Sequence, residues 1–382
     1  MNCGSTSTNR RILELDGLRG IAVGLVLLWH YLPCQLPRDA GLISSLLRRG
    51  LYLTGSGVDL FFVLSGFLIF GILLDQRSSP NGLRVFYLRR ACRILPVYFF
   101  LLGAFTLLTC FTFLDTEAER WLFGNALPLW SYITFTQNIL MGLHDTFGPG
   151  ALSVTWSLAV EEQFYLVAPL ILLFVGHKGL GRLLPAMLIA GPLLRMLFPG
   201  FYAYVNTPWR ADPLIAGGCV ALIVRSPAAS KFVREHSRQM TTAALALMAV
   251  VPVMILKPGI LGVFDLTWLA ASYSLLVMAA ALGTHKPLLG FLRNQGLLWL
   301  GKHSYAIYMF HQIVSGLLHG LIFGREPLIR GPSGALVTLA ALLTTLLLSW
   351  LSFRFLESPI LRFGHCFRYQ PRRNKSIADP IQ

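Results

Sequence analysis

Ten stretches of about 20 mainly apolar residues recur along this 382-residue chain, and each is long enough to cross a bilayer as a helix. They lie near 18–36, 54–75, 94–114, 155–175, 181–198, 209–224, 240–257, 264–283, 298–322 and 334–356. With 55% hydrophobic residues, 13% charged residues and a mean hydropathy of +0.62, the composition excludes an ordinary soluble domain. The expected fold is an all-α integral membrane protein with about ten transmembrane helices in one bundle. The first stretch follows a basic N-terminus, as a signal peptide would. No small-residue cleavage site follows it and many more apolar segments do, so it is expected to stay attached.

The net charge of +15 does not point to a nucleic-acid partner, because the basic residues lie between the apolar stretches rather than in one patch. Their placement reports topology. Residues 122–143, LFGNALPLWSYITFTQNILMGL, are apolar but carry Asn125, Pro128, Gln137 and Asn138. If this segment does not span, one side of the membrane receives Arg84, Arg89, Arg90 and Arg93, then His177, Lys178 and Arg182. The same side receives Arg225, Lys231, Arg234 and Arg238, Lys286 and Arg293, and the tail with Arg362, Arg368, Arg372, Arg373 and Lys375. By the positive-inside rule that side is cytoplasmic. The acidic DTEAE (115–119) falls outside, with Arg325 and Arg330 as exceptions. Both termini are therefore expected inside, with 122–143 re-entrant or interfacial. The chain divides into a cytoplasmic N-terminus (1–17), a membrane domain (18–358) and a basic cytoplasmic tail (359–382). The tail's end, PRRNKSIADPIQ, has the composition of a disordered segment. The six cysteines, Cys3, Cys34, Cys92, Cys110, Cys219 and Cys366, show no CxxC pair and no histidine-rich spacing. They are read as packing residues, and no metal is expected.

Ionisable groups inside a span are expensive and mark pathways or sites. In LDGLRGIAVGLVLLWHYLP (15–33), Arg19 and His30 are close to three full turns apart, on one helix face and about 16 Å apart along the axis. Asp16 stands one turn from Arg19 and can pair with it. Alone, Arg19 also fits a snorkelling arginine, and His30 a histidine bonded to a neighbouring carbonyl. In TWSLAVEEQFYLVAP (155–169), Ser157, Glu161 and Tyr165 recur every fourth residue as one polar stripe, with Glu162 pointing elsewhere. A carboxylate there takes a cationic partner or holds its proton, and a structural salt bridge is the plainer reading. Arg89, Arg90 and Arg93 cluster before a span at the cytoplasmic face, where they satisfy the positive-inside rule and also suit phosphates. His311 lies inside another span. By depth, His30 is near mid-membrane, Glu161, Tyr165 and His311 are at the middle or slightly outward, and the arginines are at the inner mouth.

These motifs resemble the membrane acyltransferase-3 family of O-acyltransferases. LRGIAVGLVLLWH carries that family's arginine, ten residues, histidine pattern at Arg19 and His30. GVDLFFVLSGFLI (57–69) is similar to its second-helix signature, RRACRILP holds the paired arginines Arg90 and Arg93, and WSLAVEEQFY matches its serine, glutamate, tyrosine spacing. SYAIYMFHQ (304–312) and FLESP (355–359) resemble later family elements. TPWRADPLIAGG (207–218) follows the pattern more loosely, so Arg210 and Asp212 are not among the expected site residues.

The resemblance implies a bacterial inner-membrane enzyme that moves an acetyl or other short acyl group from cytoplasmic acyl-CoA to a hydroxyl of a carbohydrate or cell-envelope glycan. It implies no permanently bound cofactor. His30 would be general base, with Glu161 orienting it or balancing a neighbouring cation, and Ser157 and Tyr165 hydrogen bonding to thioester or acceptor. His311 joins this set, while Arg19, Arg90 and Arg93, helped by Arg89, would hold the CoA phosphates. Some family members carry a fused extracytoplasmic hydrolase-like domain. This chain ends soon after its tenth stretch and is expected to act alone or with a separate extracytoplasmic partner. Trp121, Trp130, Tyr132 and Trp209 could stack on sugars or anchor the interface. A transporter or flippase using the same His, Glu and Arg residues as a relay is the competing reading, but the paired inverted repeats it calls for are not seen. A non-catalytic scaffold is a third reading, which leaves the same-face Arg19 and His30 without a purpose.

Overall fold

The computed structural model describes residues 12–37, 41–257 and 259–370. Cys3 and the whole PRRNKSIADPIQ segment, with Arg372, Arg373 and Lys375, lie outside the described residues, as do the side chains of His177 and Lys178. Among the described residues every regular element is helical. In chain order they are α1 (Leu13–Tyr31), α2 (Gly41–Gly50), α3 (Gly57–Asp75), α4 (Gly82–Thr109), α5 (Glu117–Phe123), α6 (Leu129–Ile133) and α7 (Gln137–Leu143). There follow α8 (Thr155–Phe174), α9 (His177–Leu197), α10 (Phe201–Val205), α11 (Thr207–Arg225), α12 (Pro227–Glu235), α13 (Ser237–Met248) and α14 (Val251–Leu256). The last are α15 (Asp265–Leu282), α16 (Lys286–Leu292), α17 (Gln295–Phe323), α18 (Gly331–Ser352) and α19 (Ser358–Cys366).

Among the described residues, eight helical runs are long and apolar enough to cross a membrane. A ninth is added if Phe201–Arg225 is counted with Pro227–Glu235, which turns off it by 94°. The remaining expected stretch, 18–36, is occupied by α1, which begins already at Leu13 and carries Glu14, Asp16 and Arg19 in its first two turns. An all-α membrane architecture is therefore what the chain adopts.

Residues 122–143 do not form one helix. They are divided among α5, α6 and α7, with breaks around Asn125–Pro128 and Thr134–Thr136, and Asn125 and Phe135 take left-handed backbone at φ 52° and 54°. The polar residues that made this stretch ambiguous hold it in place. Fully buried Gln137 donates to the Thr155 carbonyl at 3.0 Å, and fully buried Asn138 donates to the Val205 carbonyl at 3.2 Å. The reading of the cysteines as packing residues is corrected for Cys34, Cys110 and Cys366, which are exposed because they sit at helix ends and in a loop.

In lipid there is no hydrophobic force between helices, so close backbone packing at small residues drives association. Two crossings show this. A Cβ on Gly66 of α3 would lie 1.8 Å from the Leu214 carbonyl oxygen of α11, and one on Gly217 would lie 2.0 Å from the Val63 oxygen. Where α1 meets α17, a Cβ on Gly301 would lie 1.8 Å from the Asp16 oxygen, and one on Gly20 would lie 2.1 Å from the Leu297 oxygen. The obstructing atoms are backbone and cannot rotate away. Gly217→Leu and Gly301→Leu are expected to destabilise the protein at or beyond the upper end of the about 1–3 kcal/mol typical of overpacking. Thermal melting in detergent would register this as a lowered Tm, whereas Gly103→Leu, with no atom near its added Cβ, leaves Tm unchanged.

Candidate active site

α1, α3, α4, α8 and α17 line a partly open pocket whose empty volume, open solvent included, is ≈ 730 Å³. Its polar lining comes from Arg19, Ser65, Arg90, Arg93, Ser157, Glu161, Tyr165, Ser304, Tyr305 and Tyr308. Helical periodicity explains the convergence from α8, where Ser157, Glu161 and Tyr165 descend one face. Ser65 donates to Glu161 Oε1 at 2.9 Å and Tyr165 donates to Glu161 Oε2 at 2.8 Å, so both carboxylate oxygens are held. The Arg90 guanidinium lies 5.4 Å from the Tyr165 ring centroid. One turn further along α8, the Ser157 hydroxyl is 2.6 Å from the Tyr308 hydroxyl.

The arginines differ in what they bond. Arg19 donates to Asp16 at 3.0 Å, as the one-turn spacing predicts. Among the described residues, Arg90 and Arg93 donate no hydrogen bond and form no ion pair, and they line the cavity with their donors free. Arg89 is set apart from them. Its Nε and Nη2 donate to the Phe367 carbonyl at 3.0 and 2.6 Å, and its guanidinium lies 4.8 Å from the Tyr369 ring centroid. The expectation that Arg89 assists the pocket is corrected accordingly: it stands a helical 100° from Arg90 and ties α4 to the segment after α19.

His30 and His311 form a second cluster beyond Ser157 and Tyr308. Their ring centroids are 4.8 Å apart. His30 Nδ1 is 2.9 Å from the Val26 carbonyl oxygen, and His311 Nδ1 is 2.7 Å from the Tyr308 carbonyl oxygen. A carbonyl can only accept, so in each neutral ring Nδ1 carries the proton and Nε2 presents a lone pair. His311 is fully buried, whereas His30 is partly open. No direct contact joins Glu161 to His30, because both Glu161 oxygens are taken by Ser65 and Tyr165 and His30 stands at the far end of α1. Glu161 faces the arginines instead. The link between clusters is Tyr308, whose hydroxyl meets Ser157 and whose ring is 5.8 Å from that of His311.

Ser65 and Tyr308 were not singled out from the sequence, although each stands inside a stretch that was: Ser65 in GVDLFFVLSGFLI and Tyr308 three residues before His311. A deeper pair of ionic contacts was also missed. Arg210 Nη2 lies 3.0 Å from Asp59 Oδ1, with both side chains almost fully buried and Phe62, Trp156 and Tyr204 around the guanidinium at 5.1–5.5 Å. Arg195 forks onto Asp212 at 2.9 and 2.7 Å, and Thr267 donates to the same carboxylate at 2.8 Å. These residues brace α3, α9, α11 and α15. Of the aromatic residues expected outside, Tyr132 is buried, with its carbonyl accepting from the Tyr98 hydroxyl, and Trp209 donates its Nε1 proton to the Leu194 carbonyl.

The family model described as an acyltransferase domain matches residues 12–354. The chain belongs to the acyltransferase-3 family. It is 26% identical over 403 residues to the O-acetyltransferase OatA of Staphylococcus aureus (strain MRSA252), covering 97% of this chain and 61% of that protein. It is 27% identical over 400 residues to the peptidoglycan O-acetyltransferase OatA of Listeria monocytogenes serovar 1/2a, covering 97% of this chain and 59% of that one. The chain thus spans about three fifths of the length of the curated relatives it matches. No solved structure matches it. With its apolar helices and bacterial relatives, it is a multi-pass protein of the bacterial cell membrane.

Removing one partner of a buried ion pair strands the other charge, at a cost of about 3–5 kcal/mol. Asp59→Ala or Arg210→Ala is expected to destabilise by that order in denaturant or thermal unfolding in micelles. The Asp59→Leu/Arg210→Met double variant, which leaves no charge behind, should melt above either single variant.

Proposed function

We propose that this chain transfers an acyl group, acetyl in the first instance, from acyl-CoA to a hydroxyl of a cell-envelope glycan. The observation that carries the reading is the union in one cavity of free arginine donors at one end and a hydroxyl pair, Ser157 and Tyr308, at the other, with the partly exposed His30 and the buried, unpartnered Nε2 of His311 beyond Tyr308. Arg90 and Arg93, with Arg19 beside them, hold the phosphates of CoA from the cytoplasmic side, where guanidinium forks match phosphate oxygens. The pantetheine arm then runs toward Ser157 and Tyr308, which share the Val154 carbonyl as acceptor in the free protein, and one of the two hydroxyls turns from it to donate to the thioester carbonyl. His30 Nε2 takes the proton of the acceptor hydroxyl as its oxygen bonds to the thioester carbon. The carbon–sulfur bond breaks, and the CoA thiolate leaves and takes up a proton. His311 sets the position of the His30 ring. Glu161, fixed by Ser65 and Tyr165, balances the arginine charge. Family membership supports acyl transfer, the names of both relatives support acetyl as the group, and the name of the Listeria relative supports an envelope glycan as the acceptor.

The test uses the purified protein in nanodiscs with acetyl-CoA and a peptidoglycan-derived oligosaccharide, following free thiol release and the acetyl mass on the sugar. His30→Ala is expected to slow transfer by about 10²–10⁴-fold, the range of general-base catalysis. The Arg90→Ala/Arg93→Ala variant is expected to weaken CoA binding by about two to four orders of magnitude, as about 1.5–3 kcal/mol for the charged hydrogen bond of each arginine implies. Transfer at the wild-type rate by His30→Ala would sink the assignment of the base, and a wild-type protein that never consumes acetyl-CoA would favour a transport role.

A further inference from the structure

Beyond the opposite ends of α1 and α17 from the arginine pocket, the chain forms an open groove with an empty volume of ≈ 1820 Å³. Trp29, Arg48, Arg49, Tyr52, Glu326 and Arg330 line it. Three guanidinium groups therefore share the groove with one carboxylate. They stand on the side to which loop charges assign few cations, and Arg48 and Arg49 extend the exceptions already marked by Arg325 and Arg330. Membrane orientation gives no reason for them. Nor does local pairing, because among the described residues the side chains of Arg48, Arg49 and Arg330 form no hydrogen bond or ion pair.

The amphipathic pattern of α2 explains why the cations turn into the groove. Ser45, Arg48 and Arg49 share one face of this helix, Tyr52 continues it in the next turn, and all four line the groove. Ile43, Leu46 and Leu47 occupy the other face and are exposed, with exposed Leu42 at the boundary beside Arg49. The arginines are thus turned away from that apolar face. Across the groove, the Trp29 ring is backed by Gly55, whose added Cβ would sit 3.3–3.6 Å from three ring atoms. Trp29 immediately precedes His30, the open member of the histidine pair.

We propose that this groove is the acceptor site and that it selects an anionic glycan, one whose sugars carry carboxylate or phosphate groups. The inference rests on the acyl-transfer reading above. Trp29 and Tyr52 supply flat faces for sugar rings, Arg48, Arg49 and Arg330 take the anionic substituents, and Glu326 sets a negative limit at one edge. Trp29 and His30 are consecutive residues of α1, so the groove and the histidine pair adjoin the same end of that helix.

The test measures binding of fluorescent oligomers to the full chain in nanodiscs of phosphatidylcholine alone. Three probes are used: a neutral N-acetylglucosamine oligomer, an oligogalacturonate and an oligomer of glycerol phosphate. At least one anionic probe should bind tenfold or more tightly than the neutral one, with the preference shrinking as salt rises. The tighter of the two anions names the charged group. R48Q/R49Q/R330Q should abolish the preference, E326Q should enlarge it, and W29A should weaken neutral and anionic probes alike. Affinity for CoA and Tm, measured on the same samples, report that the variants fold. Equal binding of all probes by the wild-type chain, or a preference that survives in the triple variant, overturns the proposal. So does a triple variant altered only in its retention on phosphatidylglycerol vesicles, which would assign the arginines to lipid headgroups. A wild-type chain that prefers an anionic probe but releases no thiol from acetyl-CoA refutes acyl transfer and leaves the groove's selectivity standing.

Discussion

The site depends on the backbone contact between α1 and α17. Gly301 lets α17 pass against the Asp16 carbonyl of α1, and Gly20 lets α1 pass against the Leu297 carbonyl of α17. Once these backbones touch, side chains further along both helices must meet. Thus His30 of α1 packs on His311 of α17, and the Tyr31 hydroxyl donates to the His311 carbonyl at 3.0 Å. The same contact carries Arg19 to the wall that faces Ser304 and Tyr305. Without a hydrophobic force to hold helices together in lipid, that small-residue contact is what keeps the two ends of the site in register.

Charge is then sorted by whether a partner is supplied. Arg195 and Arg210 are met by Asp212 and Asp59 inside the bundle, which is where a cation out of water must be paired. Arg90 and Arg93 are on the cavity wall with no such partner among the described residues, close to a carboxylate whose two oxygens are already bound by hydroxyls. The first pair is consistent with bracing and the second with an incoming anion. Both are arginines in the membrane, and only the neighbours distinguish them.

Several elements were legible in the sequence because each depends on a local rule. Hydropathy located the helices, since a membrane segment needs its length and apolarity written into consecutive residues. Periodicity placed Glu161 and Tyr165 on one face and paired Asp16 with Arg19, because helix neighbours at three and four residues are fixed by geometry. Other features needed the tertiary contact. Ser65 is a serine in an apolar helix until Glu161 arrives from 96 residues away, and Arg210 and Asp59 stand 151 positions apart. Arg89 shows the reverse: it sits in the right cluster by sequence, yet the Phe367 carbonyl takes it elsewhere.

By itself, then, the sequence determined that this is a helical membrane protein, which of its residues are too polar to face lipid, and the family whose motifs they form. Consecutive residues suffice for that, because hydropathy, helical spacing and motif are properties of one strand of chain. Only the tertiary structure decided that the histidines form a pair separate from Glu161, that Tyr308 joins the two clusters, and that Arg48, Arg49 and Arg330 line a common groove. Those are relations between helices, and they follow from which glycines permit two backbones to touch.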